Sequence, residues 1–222
     1  MSAPDREAGG GLFAAVKRTT PADGVCLGLA TTGGVTLRPV GTSPGAASAE
    51  ELYVLTQWRN RHVAAFLTEF LATEERTASW LVSTVGPDPG RIVFTLREPN
   101  GSIFGVCGLA LADWVVGTVE LDGVMRGTAA VPGGMSVAIR VLLDWASGIG
   151  LPTALVRVVS NNEHALAFYR RLGFVETDRV ALRRVEESGM VTWLPDRSGN
   201  TGSRALIHHR LDATTTASRA GI

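Results

Sequence analysis

The chain has 222 residues, 45% of them hydrophobic, enough to bury one substantial α/β core but hardly two independent ones. Its 21 basic and 21 acidic side chains cancel, which excludes an overall field directed at nucleic acid or at an anionic membrane surface, so any basic site must be local. No apolar leader opens the chain and no stretch approaches the roughly 20 apolar residues of a membrane span, so a soluble, cytoplasmic protein is expected.

Residues 1–30 are rich in Ala, Gly and Thr, with turn signals at Gly9-Gly10-Gly11, Pro21 and Asp23-Gly24, and read as a loosely held extension. Within it Leu12-Phe13-Ala14-Ala15-Val16 has the apolar character to dock as a partial helix. Lys17 is the only lysine among the basic residues, a bias towards arginine that reads as genome composition and not as phosphate recognition. The folded domain is expected over 31–212, with 213–222 a flexible tail.

Val35 to Val40 reads as a first strand, and Ser48 as the N-cap of a helix from Ala49 to Asn60. Thr73 opens a second helix to Val85, broken by Pro87-Asp88-Pro89-Gly90. Arg91–Arg97 and Ser102–Ala110 form a hairpin about Asn100-Gly101, a pair with easy access to positive φ. Val115–Met125 makes a fourth strand. A Gly/Pro loop then leads into a helix over Met135–Ser147, with Val137, Ala138, Val141, Leu142 and Trp145 on one stripe and Gly148 at its end. Ala154–Val159 is apolar apart from Arg157, the pattern of a central strand covered on both faces and paired in parallel. A helix over Glu163–Leu172 follows, capped by Asn161 or Asn162 and ended by Gly173, before strands near Val175–Val185 and Arg204–Leu211. The order is that of an α/β fold with a mostly antiparallel first half and a central βαβ unit. Cys26 and Cys107 form no CxxC and have no His at ligand spacing, so neither a metal site nor a disulfide framework is indicated, and a reducing compartment fits.

The segment Asn162–Phe174, NEHALAFYRRLGF, places Ala165, Phe168 and Leu172 on a core-facing stripe and Asn162, Ala165 and Tyr169 on an adjoining one. Asn162 and Tyr169 then stand about two turns, roughly 10 Å, apart along one edge. In Asn162, Ala165, Phe168, Tyr169, Gly173 and Phe174 it resembles the signature of the GNAT superfamily of acyl-CoA N-acyltransferases, and the element order agrees. The resemblance implies a mixed central sheet of about seven strands, four helices and a βαβ unit that binds acyl-CoA. It implies acetyl-CoA as cosubstrate, no metal, Asn162 and Tyr169 against the pantetheine arm, and Tyr169 as the acid for the departing sulfur.

The GNAT phosphate loop, Arg/Gln-x-x-Gly-x-Gly/Ala, is altered here: Gly133 stands at its first glycine, Met135 at the second, and Ala130 where the Arg or Gln belongs. The amides of Gly134, Met135 and Ser136 at a helix N-terminus still suit a pyrophosphate, and Arg126 or Arg140 is placed to replace the missing charge. On the fourth strand Glu120 is the candidate base, acting through water, with Asp122 on the same face as its competitor. Backbone amides around Val124 and Met125, where that strand is expected to splay from the next, would polarise the thioester carbonyl. Trp58-Arg59-Asn60 resembles the end of the first helix in two GNAT branches, one acting on N-termini of ribosomal proteins and the other on nucleotide-linked amino-sugars. Trp58, Arg59, Asn60 and Asp122 are therefore the candidate acceptor-binding residues, although Trp58 also reads as a core anchor. None of His62, His164, His208 and His209 has a partner that suggests a triad, and most read as surface groups. The leading expectation is acetylation of a small-molecule amine, an amino-sugar or nucleotide-linked amino-sugar. Its alternatives are a protein N-terminus as acceptor, a longer acyl donor, or a non-catalytic acyl-CoA-binding module. Relatives of this kind often dimerise through terminal strands, and 183–202 is long enough to form a lid or an interface.

Overall fold

The computed structural model describes residues 6–18, 29–30, 34–127, 132–198 and 204–213. In chain order its elements are α1 (Arg6–Arg18), β1 (Leu29–Ala30), β2 (Thr36–Pro39), α2 (Ala49–Arg61), β3 (Thr68–Glu69), α3 (Glu74–Trp80), β4 (Ile92–Arg97), β5 (Ile103–Asp113), β6 (Thr118–Arg126), α4 (Gly134–Gly148), β7 (Thr153–Val159), α5 (Glu163–Leu172), β8 (Val175–Glu187), β9 (Met190–Pro195) and β10 (Arg204–Asp212). None of the described helices is long and apolar enough to cross a membrane.

The strands form one sheet of order β1-β2-β4-β5-β6-β7-β10-β8-β9-β3, antiparallel except between β6 and β7. The mixed α/β sheet expected from sequence is present, with, among the described residues, ten strands instead of about seven and five α-helices instead of four. The additional strands are short. Two of them, β1 and β3, have two residues each, too few for an alternation to be read. The third, β9, pairs with β8 across Ser188-Gly189, both at positive φ, so 183–202 contributes a hairpin that carries β3 on its outer edge.

Alternate side chains send the sheet's apolar groups to two layers. Leu37, Phe94, Leu121, Val156 and Val158 pack with Phe13 of α1, Ala138 and Leu142 of α4, and Leu172 of α5. Val93, Val106 and Met125 pack on the other face with Leu55 and Trp58 of α2 and with Leu81 and Val85 beyond α3. The capping box foreseen at Ser48 is made, with Glu51 N donating to Ser48 Oγ and Ser48 N to the Glu51 carboxylate. Helix α3 starts on Thr73, as expected, but Leu81–Val85 continues it as a π-helical turn. On α4 the buried stripe is Ala138, Ile139, Leu142 and Ala146, rotated from the sequence reading, and Val137 faces solvent.

Within residues 1–30, which read from sequence as a loose extension whose Leu12–Val16 run could dock as a partial helix, Arg6–Arg18 is helical. Phe13 is fully buried, stacked on Trp145 and edge-on to Trp114 with ring centroids 5.7 and 5.2 Å away. Lys17 supplies the second anchor: its Nζ donates to the carbonyls of Val85, Gly86 and Asp88 at 2.8, 2.9 and 2.8 Å. The sole lysine thus caps the carbonyl end of the π turn, where the helix dipole favours a cation. Cys26, Ala130 and most of the 213–222 tail lie outside the described residues.

Candidate active site

Strands β6 and β7 pair in parallel only over Thr118–Glu120 and Thr153–Leu155, and then part. Gly123, at φ 58°, sits in a bulge of β6 against β5, which turns the strand away as it leaves β7. The gap opens into a cavity of about 1080 Å³ whose wall draws on both faces of the sheet.

On the α4–α5 side the wall is made mainly of backbone and one helix edge. Gly133 adopts a left-handed conformation, φ 76°, and no side chain caps α4. The first internal bond is Val137 N to Gly133 O, so the amides of Gly134, Met135 and Ser136 have no partner within the helix. Met135 is tolerated at the loop's glycine position because its side chain folds onto Gly105: a Cβ there would lie 2.8 Å from Met135 Cε. Met135 itself lines the cavity. Arg126 lines the cavity, whereas Arg140, the other candidate for the missing charge, points out of α4 and does not.

Asn162 caps α5, its Oδ1 accepting from Ala165 N at 3.1 Å, and its Nδ2 has no partner among the described residues. Gly173, at φ 102°, ends the helix. The two stripes read from sequence exchange roles in part. Tyr169 is 5% exposed and belongs to the core with Leu172, while Ala165 and Phe168 are half-buried and line the cavity beside it. Burial pushes the Tyr169 phenol above its ordinary value, and Cys107, Asp122 and Glu120 act in the same direction. The phenol therefore keeps its proton at neutral pH.

On the α2 side the wall is made of charges. Val119 and Leu121 face the α4–α5 layer, so Glu120 and Asp122 face α2, on the common side expected from sequence. Each carboxylate has its own arginine. Arg157 Nε donates to both oxygens of Glu120, at 3.0 and 2.8 Å, and Arg91 pairs with Asp122. Burial nonetheless pushes the Glu120 carboxyl above the usual carboxylate range, against the pull of Arg157. Beside Arg157 across the strand pair lies His208, whose Nε2 is buried without a partner among the described residues.

Trp58, Arg59 and Asn60 do not reach the cavity. The Trp58 indole lies against the Gly127 backbone, where a Cβ would come within 1.8 Å of Cζ2. The Arg59 guanidinium lies 4.4 and 4.2 Å from the ring centroids of Phe66 and Phe70 and donates to Thr68 O at 2.6 Å. Asn60 accepts from Ala72 N and donates to Ala72 O, at 2.8 and 3.0 Å. These residues fix the segment after α2 and the end of β6, and the wall itself is formed by Arg61, His62, Ala65 and Phe66. Sequence reasoning missed that quartet. Its signal is the stripe Glu51, Leu55, Trp58, which at helical spacing continues to His62. Arg157, noticed only as an exception in an apolar strand, and His164 and Arg171 on α5 also line the cavity.

The family model "Acetyltransferase (GNAT) domain" matches residues 35–175. No curated protein matches the sequence. Among solved structures, a probable GNAT-family acetyltransferase from Chromobacterium violaceum is similar with a TM-score of 0.62 at 17% identity, over 83% of this chain and 90% of its own. A spermidine N-acetyltransferase from Vibrio cholerae, solved with CoA and spermine, gives 0.61 at 15% identity, over 82% and 96%. The spermidine/spermine N-acetyltransferase of the same organism, solved with manganese ions, gives 0.58 at 14%, over 84% and 96%. At these identities the likeness is one of fold.

Proposed function

The chain belongs to the GNAT acetyltransferase family, and from its cavity we propose that it transfers the acetyl group of acetyl-CoA by direct attack of the primary amine of a small molecule, an amino-sugar being the acceptor class. The observation that carries this reading is one cavity that joins the first-turn amides of α4, Asn162 and Tyr169 to Glu120 and Asp122 through the β6–β7 gap.

The residues present suit acetyl-CoA. The amides of Gly134, Met135 and Ser136, with Arg126, would hold the pyrophosphate. Asn162 Nδ2 and the edge of α5 would hold the pantetheine arm. Acetyl-CoA supplies an activated thioester. Against it, β6 offers the amides near Val124 and Met125, where β7 provides no strand partner, to the carbonyl oxygen.

The acceptor nitrogen must lose a proton before attack, and Glu120, with its pKa raised, is a base better matched to neutral pH than an ordinary carboxylate. Because Arg157 occupies both of its oxygens, a water bridging Glu120 to the amine suits the geometry better than direct contact. The Tyr169 phenol, held protonated by burial, is the donor to the sulfur that leaves. Asp122 borders the acceptor. Trp58, Arg59 and Asn60 act behind the wall, by positioning Phe66 and Gly127.

The test is calorimetry with acetyl-CoA followed by thiol release in the presence of glucosamine and other primary amines. Tight binding and amine-dependent thiol release are expected. Failure to bind acetyl-CoA overturns the cofactor assignment, and binding without turnover on any amine supports a non-catalytic acyl-CoA-binding module instead.

A further inference from the structure

Four arginines, Arg61, Arg126, Arg157 and Arg171, line the cavity against two carboxylates, Glu120 and Asp122. Arg126 ends β6 before the α4 loop and Arg171 lies on α5, the elements that the reading above gives to the cofactor. That leaves Arg61 and Arg157 on the α2 side, where the acceptor enters. Neither carboxylate there is unspent, since Glu120 is held by Arg157 and Asp122 by Arg91. A polycationic amine would therefore exchange its water shell for a wall whose negative charge is already neutralised.

The donors tell the same story. Arg157 uses only Nε on Glu120, and its terminal nitrogens have no partner among the described residues. Arg61 spends one nitrogen, Nη1, on Gly127 O at 3.2 Å. Beside it His62 Nε2 is buried with no partner among the described residues, an arrangement that costs free energy until a ligand completes it. Arginine forks of this kind suit the paired oxygens of a carboxylate or phosphate.

We propose that the acceptor carries an anionic group, carboxylate or phosphate, near its nucleophilic amine, and that Arg61, His62 and the terminal nitrogens of Arg157 bind it. The inference rests on the acetyltransferase reading and narrows its substrate class. One guanidinium then does two things: Nε of Arg157 fixes the base, and its far end fixes the anion. An amine tethered to that anion arrives beside Glu120, whereas a free amine must find the position unaided.

The test compares kcat/KM, at saturating acetyl-CoA, for glucosamine, glucosamine 1-phosphate, glucosaminate and spermidine, and for ethanolamine against O-phosphoethanolamine. At least tenfold preference for an anionic member over its partner without the anion is expected, with spermidine below both, and the phosphate and carboxylate arms identify the anion. Arg61→Gln should lower the anionic acceptor's kcat/KM at least tenfold more than glucosamine's. Arg61 is chosen because Arg157→Gln would also disturb Glu120. As a readout apart from turnover, N-acetylglucosamine 1-phosphate should bind the CoA-loaded protein at least tenfold more tightly than N-acetylglucosamine, with that margin lost in Arg61→Gln. Equal use of partners with and without the anion, preference for spermidine, or absence of binding and turnover throughout overturns the proposal. Inactive amino-sugars with the preference kept in the ethanolamine pair would remove the amino-sugar reading and leave this one standing. Active amino-sugars without the preference would do the reverse.

Discussion

On the α4–α5 side of the sheet the cavity is walled by consecutive amides at Gly134–Ser136 and by one edge of a single helix, whereas the α2 side is assembled by ion pairs between residues far apart in the chain. Arg157 reaches Glu120 across 37 positions and Arg91 reaches Asp122 across 31. The first construction depends on backbone conformation, and the Met135 side chain lies over Gly105. The second depends on which charges meet. On the proposed reading the donor side is generic and the acceptor is set by charge placement.

The largest effect that would test the division is at Tyr169. Tyr169→Phe removes only the hydroxyl, so kcat should fall by about 10²–10⁴-fold while acetyl-CoA affinity measured by calorimetry stays within a few-fold. Unchanged turnover would remove Tyr169 from the donor role and leave the α5 edge as a binding surface alone.

Lys17→Met probes a joint between the two layers, because α1 packs in the α4–α5 layer while Lys17 caps the turn that ends in the α2–α3 layer. Three carbonyls lose their donor, and a stability loss of about 2–3 kcal/mol in denaturant unfolding is expected. A loss below about 0.5 kcal/mol would show that water replaces the ammonium there.

Gly127→Ala strikes the seam where the acceptor-side Trp58 supports the strand leading to α4. The new methyl would overlap the indole, and a destabilisation of about 1–3 kcal/mol with weaker CoA binding is expected. Trp58→Phe combined with it should recover part of both, since the smaller ring yields space. No recovery would mean that the glycine is needed for its backbone alone.

The same division explains what was legible in the sequence. Gly133, Asn162, Tyr169 and Gly173 sit in contiguous segments whose caps, breaks and periodicity are local, and the parallel β6–β7 pair follows from the βαβ order, whereas the gap beyond it depends on the Gly123 bulge. The acceptor wall is not local. Arg59 and Asn60 are candidates by the resemblance of Trp58-Arg59-Asn60 to a helix end in two GNAT branches, yet their partners are Phe66, Phe70 and Ala72, reached by a turn that sequence periodicity does not describe. Arg157 stood out as a charge in an apolar strand, but its meaning depends on Glu120, one strand over. The glycines of helix α1 mask its helical pattern, and Phe13, Val16 and Lys17 hold it through contacts distant in sequence.

The smallest expected effect concerns the charge wall itself, and it has a sign. Burial raises the Glu120 pKa, Arg157 lowers it, and Asp122 raises it further. If Glu120 accepts the proton, the acid limb of kcat/KM against pH lies above the ordinary carboxylate range. Arg157→Gln removes the opposing pull, so the limb should move to higher pH. Asp122→Asn removes a like charge, so it should move to lower pH. Stability responds in the matching sense. With its folded pKa above the unfolded one, Glu120 binds more proton in the native state between those two values, so its contribution to stability declines as pH rises through that window and is largest below it. Arg157→Gln widens the window and Asp122→Asn narrows it. Opposite shifts of the kinetic limb in the two variants would assign it to Glu120. Parallel shifts, or a limb indifferent to both, would place the base elsewhere and leave the pair as a purely electrostatic wall.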